Sequence, residues 1–77
     1  MNYNKTEMRF ICRQACKAWF GFGPSMKDVV LLEASGDARY IRFKVNDIEY
    51  VFTTTRVIFD YDRREVDLGE YEIRGIV

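Results

Sequence analysis

Residues 39–59, RYIRFKVNDIEYVFTTTRVIF, decide how this chain folds. Apolar and polar residues alternate through the stretch, the period-two pattern of strands that bury one face. Asn46-Asp47 interrupts the alternation. Both residue types tolerate positive φ, which a two-residue hairpin turn demands. A turn there sets Val45 against Ile48, Phe43 against Tyr50 and Ile41 against Phe52 on one side, with Lys44 against Glu49 on the other. A slip of one residue would send the whole apolar set into water, so this agreement argues for an antiparallel hairpin.

The same test extends the pattern in both directions. Upstream, residues 25–35 allow two readings. Ser25 and Asp28 have the spacing of a helix cap closed by Gly36, whereas Val29-Val30-Leu31-Leu32 is an apolar run of strand length. With Ser35–Ala38 as the loop, Leu32 faces Ile41 and Val30 faces Phe43, which favours the strand. Downstream, a turn at Thr54-Thr55 sets Phe52 against Val57 and Tyr50 against Phe59, although Thr suits a tight turn poorly. A further hairpin closed by residues 62–65 sets Tyr61 against Val66 and Phe59 against Leu68. Gly69 breaks the parity before Tyr71 and Ile73, as a β-bulge does.

The N-terminal part has a different period. Asn4 is an N-cap with Glu7 in capping-box position. Met8, Ile11, Cys12, Ala15, Ala18 and Trp19 recur on one helical side as far as a Gly21 stop, and Phe22 continues that side just beyond it. Phe10 and Phe20 fall off that side. Residues 1–3 are expected to be loosely attached. The fold class that follows is α+β: one domain over residues 1–77, with an N-terminal amphipathic helix packed on one face of an antiparallel meander of about five strands.

Composition narrows the function classes. At 77 residues the core is near the lower limit for independent folding (chains below roughly 70–80 residues often need a staple or partner), and six Phe, five Tyr and one Trp supply rich packing. Dimerisation is the other remedy. The 12 basic and 12 acidic residues cancel, so global charge selects neither nucleic acid nor membrane. The distribution is uneven. Residues 1–27 hold five cations against Glu7, a net +4, and residues 28–77 hold seven bases and eleven acids, a net −4. Such segregation marks a binding surface or lets the two halves attract each other. Two cysteines, Cys12 and Cys16, without histidine make neither a zinc set nor a Cys–His nucleophile. Arg13 and Lys17 beside Cys16 are of the kind that lowers a thiol pKa, but cysteines on a helix face are more often packing residues. Their reduced state, together with the lack of a signal-peptide core or membrane-length apolar run, points to the cytoplasm.

Chemistry-bearing patterns are few. Lys5, Arg9, Arg13 and Lys17 form a stripe on the helix, able to meet an anion or an acidic partner, or simply to be a solvated face. The outer sheet face carries Leu31, Tyr40, Arg42, Lys44, Val51 and Ile58. This mix of aliphatics, Tyr and Arg occurs in protein interfaces, and in weaker form on nucleic-acid platforms. Asp60, Asp62, Glu65 and Asp67 form an acidic run. It lacks the Gly and Glu of a calcium loop, and reads as edge protection or as an acidic decoy surface. Residues 21–25, GFGPS, lack the third Gly of a dinucleotide loop and the Lys of a P-loop. With no His, metal set, cofactor loop or nucleophile elbow, the chain reads as non-enzymatic and without cofactor.

The expected function is therefore a small protein-binding module. An accessory protein or inhibitor from a phage or other mobile element, including an anti-defence inhibitor, is one such class. The alternatives are a nucleic-acid-binding regulator using the stripe or the sheet face, and a homodimeric structural subunit.

Overall fold

The computed structural model describes residues 2–76. Asn4 caps helix α1 (Lys5–Phe20): its Oδ1 accepts from the Glu7 N–H, and Glu7 Oε1 accepts from the Asn4 N–H, both at 2.8 Å. This reciprocal pairing satisfies two donors that a helix start leaves open. Gly21 ends the helix at φ 87°, and its N–H donates to the Lys17 carbonyl. A Cβ would be strained in that left-handed conformation.

A 3₁₀ turn at Met26–Asp28, which the Ser25 side chain does not cap, leads into β1 (Val29–Ala34), so residues 29–34 form the strand and not a helix running to Gly36. The strands β2 (Tyr40–Val45) and β3 (Ile48–Thr54) follow. Then come β4 (Val57–Asp60), β5 (Glu65–Leu68) and β6 (Tyr71–Ile76). All pairings are antiparallel. One sheet has the order β1-β2-β3-β6, and β4-β5 is a separate two-stranded sheet.

The β2–β3 hairpin has the expected register, with Val45 opposite Ile48, Phe43 opposite Tyr50 and Ile41 opposite Phe52. Asn46 and Asp47 make its turn at φ 50° and 68°. Ile41, Phe43 and Phe52 are fully buried beneath Ile11, Cys12 and Ala15 of α1. Full burial of each large side chain contributes about 1.5–3 kcal/mol.

Two parts of the expected meander differ. The β1–β2 loop is residues 36–39, because Ser35 pairs with Tyr40 through backbone (2.9 Å) and through its own Oγ (3.1 Å). Leu32 is then an extra residue in a β-bulge between the Leu31–Phe43 and Glu33–Arg42 pairs. The bulge reverses the parity of the first half of the strand. Val29 and Leu31 turn to the core, Val30 turns to the outer face opposite Lys44, and the unpaired Leu32 is exposed beside the groove that Lys5 and Met8 line.

The second difference lies after Thr54. β3 pairs with β6, setting Phe52 opposite Ile73 and Thr54 opposite Tyr71, and not with β4. The β4–β5 hairpin leaves the main sheet between those strands. It turns at residues 61–64, with Phe59 opposite Val66 and Val57 opposite Leu68. At the point of departure the Thr55 N–H donates to the Glu70 carbonyl, the Gly69 N–H to the Arg56 carbonyl, and the Glu70 N–H to Thr55 Oγ1. The hairpin packs against the start of the helix. Phe59 lies 5.4 Å from Phe10 and 6.1 Å from Tyr3 between ring centroids, and Tyr3 Oη donates to the Val57 carbonyl. Tyr3 is thus anchored, contrary to the loose attachment expected of residues 1–3; Met1 lies outside the described residues.

Gly69 is where the main sheet and the hairpin part. A Cβ there would run into Thr55 Oγ1 and sit 3.1 Å from Arg56 Cβ and 3.2 Å from Arg56 N. Turning the Thr55 hydroxyl away would break its bond to Glu70. Gly69→Ala is therefore expected to destabilise the fold by about 1–3 kcal/mol, read as a lower urea midpoint with an unchanged slope.

Candidate functional site

The open face of the main sheet is built by the outward residues of β2, β3 and β6. It is largely self-neutralising. The Arg42 guanidinium reaches Glu49 at 3.2 Å and Glu33 at 3.6 Å, and Arg74 reaches Glu72 at 3.3 Å. The Tyr40 hydroxyl donates to Glu33 at 3.0 Å. Glu49, by hydrogen bond and then by charge, raises the Arg42 pKa further. Lys44 stands opposite Glu49 in register, but Arg42 takes that carboxylate. Of the residues expected on this face, Tyr40, Arg42, Lys44 and Val51 lie on it. Leu31 does not, since the bulge turns it inward. Ile58 lies on the separate β4–β5 sheet, where it is 52% exposed. The six residues therefore form no single surface.

The helix stripe is different. Every ion pair among the described residues is made between positions 33 and 74. Lys5, Arg9, Arg13, Lys17 and Lys27 make none, so the basic N-terminal segment does not pair with the acidic remainder. Arg13 is half-buried beside Gly23, and its Nε has no hydrogen-bond partner. Lys5, Arg9 and Lys27 rim an open groove of about 530 Å³ against β1. A second groove of about 540 Å³ continues it past Lys5, Met8 and Leu31 towards Ala34.

The acidic run splits by role. Asp60 Oδ1 accepts from the N–H groups of Asp62 and Arg63 and so builds the hairpin turn. Asp67 pairs with Arg56 at 3.2 Å. Asp62 and Glu65 are exposed and form no ion pair among the described residues. Only half of the run is therefore available as an acidic surface.

The feature that the helical period misplaced is an aromatic end. Met8, Ile11, Cys12, Ala15 and Cys16 are the buried residues of α1, and its last turn is exposed throughout. Trp19 is thus 47% exposed and Phe22 60%, where a core position was expected for both. Phe20 (42%) and Ile48 (52%) lie close by. Ring centroids are 5.6 Å apart for Phe20–Tyr50 and for Trp19–Tyr71, and 6.2 Å for Phe20–Phe22. A small hollow of about 100 Å³ between Phe20, Phe22, Ile48 and Tyr50 has no charged lining residue. The Cys16 thiol at its floor is pushed up to about 11 by burial, which keeps it protonated and unreactive at neutral pH. Cys12, more deeply buried, is raised further. The sequence clue to this end was Phe20, which already lay off the apolar side.

No family model, curated protein or solved structure matches the chain. No helix among the described residues is long and apolar enough to cross a membrane.

One contact couples the hairpin tip to the helix start. The Tyr61 hydroxyl donates to Glu7 Oε2. That bond, followed by the Asn4 N–H, holds the Glu7 carboxyl below its ordinary range. A depressed carboxyl contributes its full stabilisation above its unfolded pKa and loses it as pH falls through the folded value. The hairpin tip is therefore expected to loosen from α1 under acid conditions. Tyr61 and Phe59 ring resonances should shift below the usual glutamate range, and Glu7→Gln should flatten that part of the titration.

Proposed function

We propose that this chain is a small, non-enzymatic module that binds another protein through its aromatic end. The observation that supports this reading is the grouping of Trp19, Phe20, Phe22 and Ile48, large apolar side chains 42–60% exposed at the end of α1, just past it and at the start of β3. Exposed aromatic groups of this kind dominate protein-interface energetics, because each offers large area at little conformational cost. The open sheet face is a weaker candidate, since its charges, Lys44 apart, already pair with one another. A module of this size without a catalytic set suits an accessory protein or inhibitor of the type that phages and mobile elements carry, acting in the cytoplasm.

The nucleic-acid reading has one specific support, the unpaired cations Lys5, Arg9, Arg13 and Lys17. The two readings differ in salt dependence. Contacts to phosphates weaken steeply with salt through counterion release, whereas apolar docking does not.

Phe22→Ser and Ile48→Ser are expected to leave unfolding within about 1 kcal/mol of the parent. Both should weaken capture of a specific protein partner at least tenfold, with the parent monomeric in sedimentation. Salt-steep binding to DNA or RNA that survives Phe22→Ser and vanishes in Arg9→Glu/Arg13→Glu would overturn the reading. So would a concentration-dependent dimer that Phe22→Ser dissociates, which would make this end a self-association surface.

A further inference from the structure

We propose that the free edge of β1 is a strand-addition site for an extended acidic segment of a partner protein. This site is separate from the aromatic end and does not depend on it. Among the described residues β1 has β2 as its only strand neighbour. No group among the described residues hydrogen-bonds the outer backbone row of β1. A strand edge of this kind offers alternating N–H and C=O groups to an incoming chain.

The charge beside this edge selects the occupant. Lys5, Arg9 and Lys27 line the groove between α1 and β1, and none of them makes an ion pair among the described residues. Lys5 and Arg9 are one helical turn apart, a rise of about 6 Å. Alternate residues of an added strand lie about 6.6–6.8 Å apart on one face. Carboxylates at every second position of the segment therefore come beside successive cations. The intervening side chains fall next to Val30, which is 53% exposed on the other face, opposite Lys44. The matching segment alternates acidic and β-branched apolar residues. The bulge at Leu32 confines pairing to the first half of β1, which disfavours long pairing with another sheet.

A phosphate backbone fits this groove less well. Its floor includes Met8, Val29 and Leu31, and phosphates cannot use the carbonyls of a strand edge. Base stacking needs an exposed ring beside the cations. Tyr3, the aromatic residue lining the groove, is held by Phe59 and the Val57 carbonyl.

The test uses the full chain and a synthetic peptide alternating Glu and Val. Three control probes accompany it: the same composition with its Glu residues contiguous, an N-methylated version lacking strand donors, and single-stranded DNA. The alternating peptide is expected to shift the amide resonances of residues 29–32 and to bind at least tenfold more tightly than any control. Arg9→Glu with Lys27→Glu should weaken it at least tenfold while leaving the unfolding midpoint unchanged, and Phe22→Ser should leave the affinity intact. Equal binding of the contiguous or N-methylated peptide would overturn the proposal, leaving only diffuse charge attraction. Tighter binding of DNA would overturn it too, as would self-association of the chain through its β1 and β6 edges without peptide binding.

Discussion

Asn46 and Asp47 hold the tightest local constraint in the molecule, and the other elements are arranged on its outcome. Their positive φ values of 50° and 68° place Phe43 across from Tyr50 and Ile41 across from Phe52. The right-handed twist of strands favours a turn of this type over its mirror image. Once that register is set, Ile41, Phe43 and Phe52 share one face, and the helix can bury it with Ile11, Cys12 and Ala15. A slip would turn three fully buried side chains into water, at several kilocalories in a domain with few core residues to spare.

The surfaces available for function arise where the regular pattern is broken. The bulge at Leu32 turns Val30 outward and leaves Leu32 exposed beside a free edge. The departure of β4–β5 takes Ile58 off the main sheet and carries Phe59 and Tyr61 to the helix start. The exposed last turn of α1 leaves Trp19 and Phe20 beside Tyr71 and Tyr50. By contrast, the regular part of the sheet spends its outward charges on itself, through Arg42 with Glu49 and Glu33 and through Arg74 with Glu72. Among the described residues, all five cations of the N-terminal segment remain unpaired, and only Lys44 and Arg64 join them from the rest of the chain.

How much was legible in the residues can be judged from particular cases. The capping box of Asn4 and Glu7, the Gly21 stop and the β2–β3 register all follow from interactions within a few residues. The parity break at Gly69 was legible as a break. Its meaning was not, because Gly69 gives way to Thr55 and Arg56, fourteen and thirteen positions earlier in the chain. Leu31 was assigned outward because nothing in VVLLEA marks which residue is the extra one of a bulge. Trp19 and Phe22 were assigned to the core because a 3.6-residue period says which side they occupy, not how far along the helix the sheet reaches. The stripe of Lys5, Arg9, Arg13 and Lys17 was legible as a pattern, while its lack of partners depends on where every acid comes to lie.

The sequence by itself determined the fold class, the helix with both its ends and the central hairpin. Each rests on local rules: helical and strand periods, side-chain caps and residues that accept positive φ. Only the tertiary structure decided that β3 takes β6 as its neighbour, that β4–β5 leaves the sheet to cover the helix start, and that the apolar surplus sits at the helix end. Those are choices among distant partners of equal parity. Phe52 can face Val57 or Ile73 with the same alternation, and the result is set by which arrangement packs the core and satisfies the backbone at Thr55, Gly69 and Glu70 together.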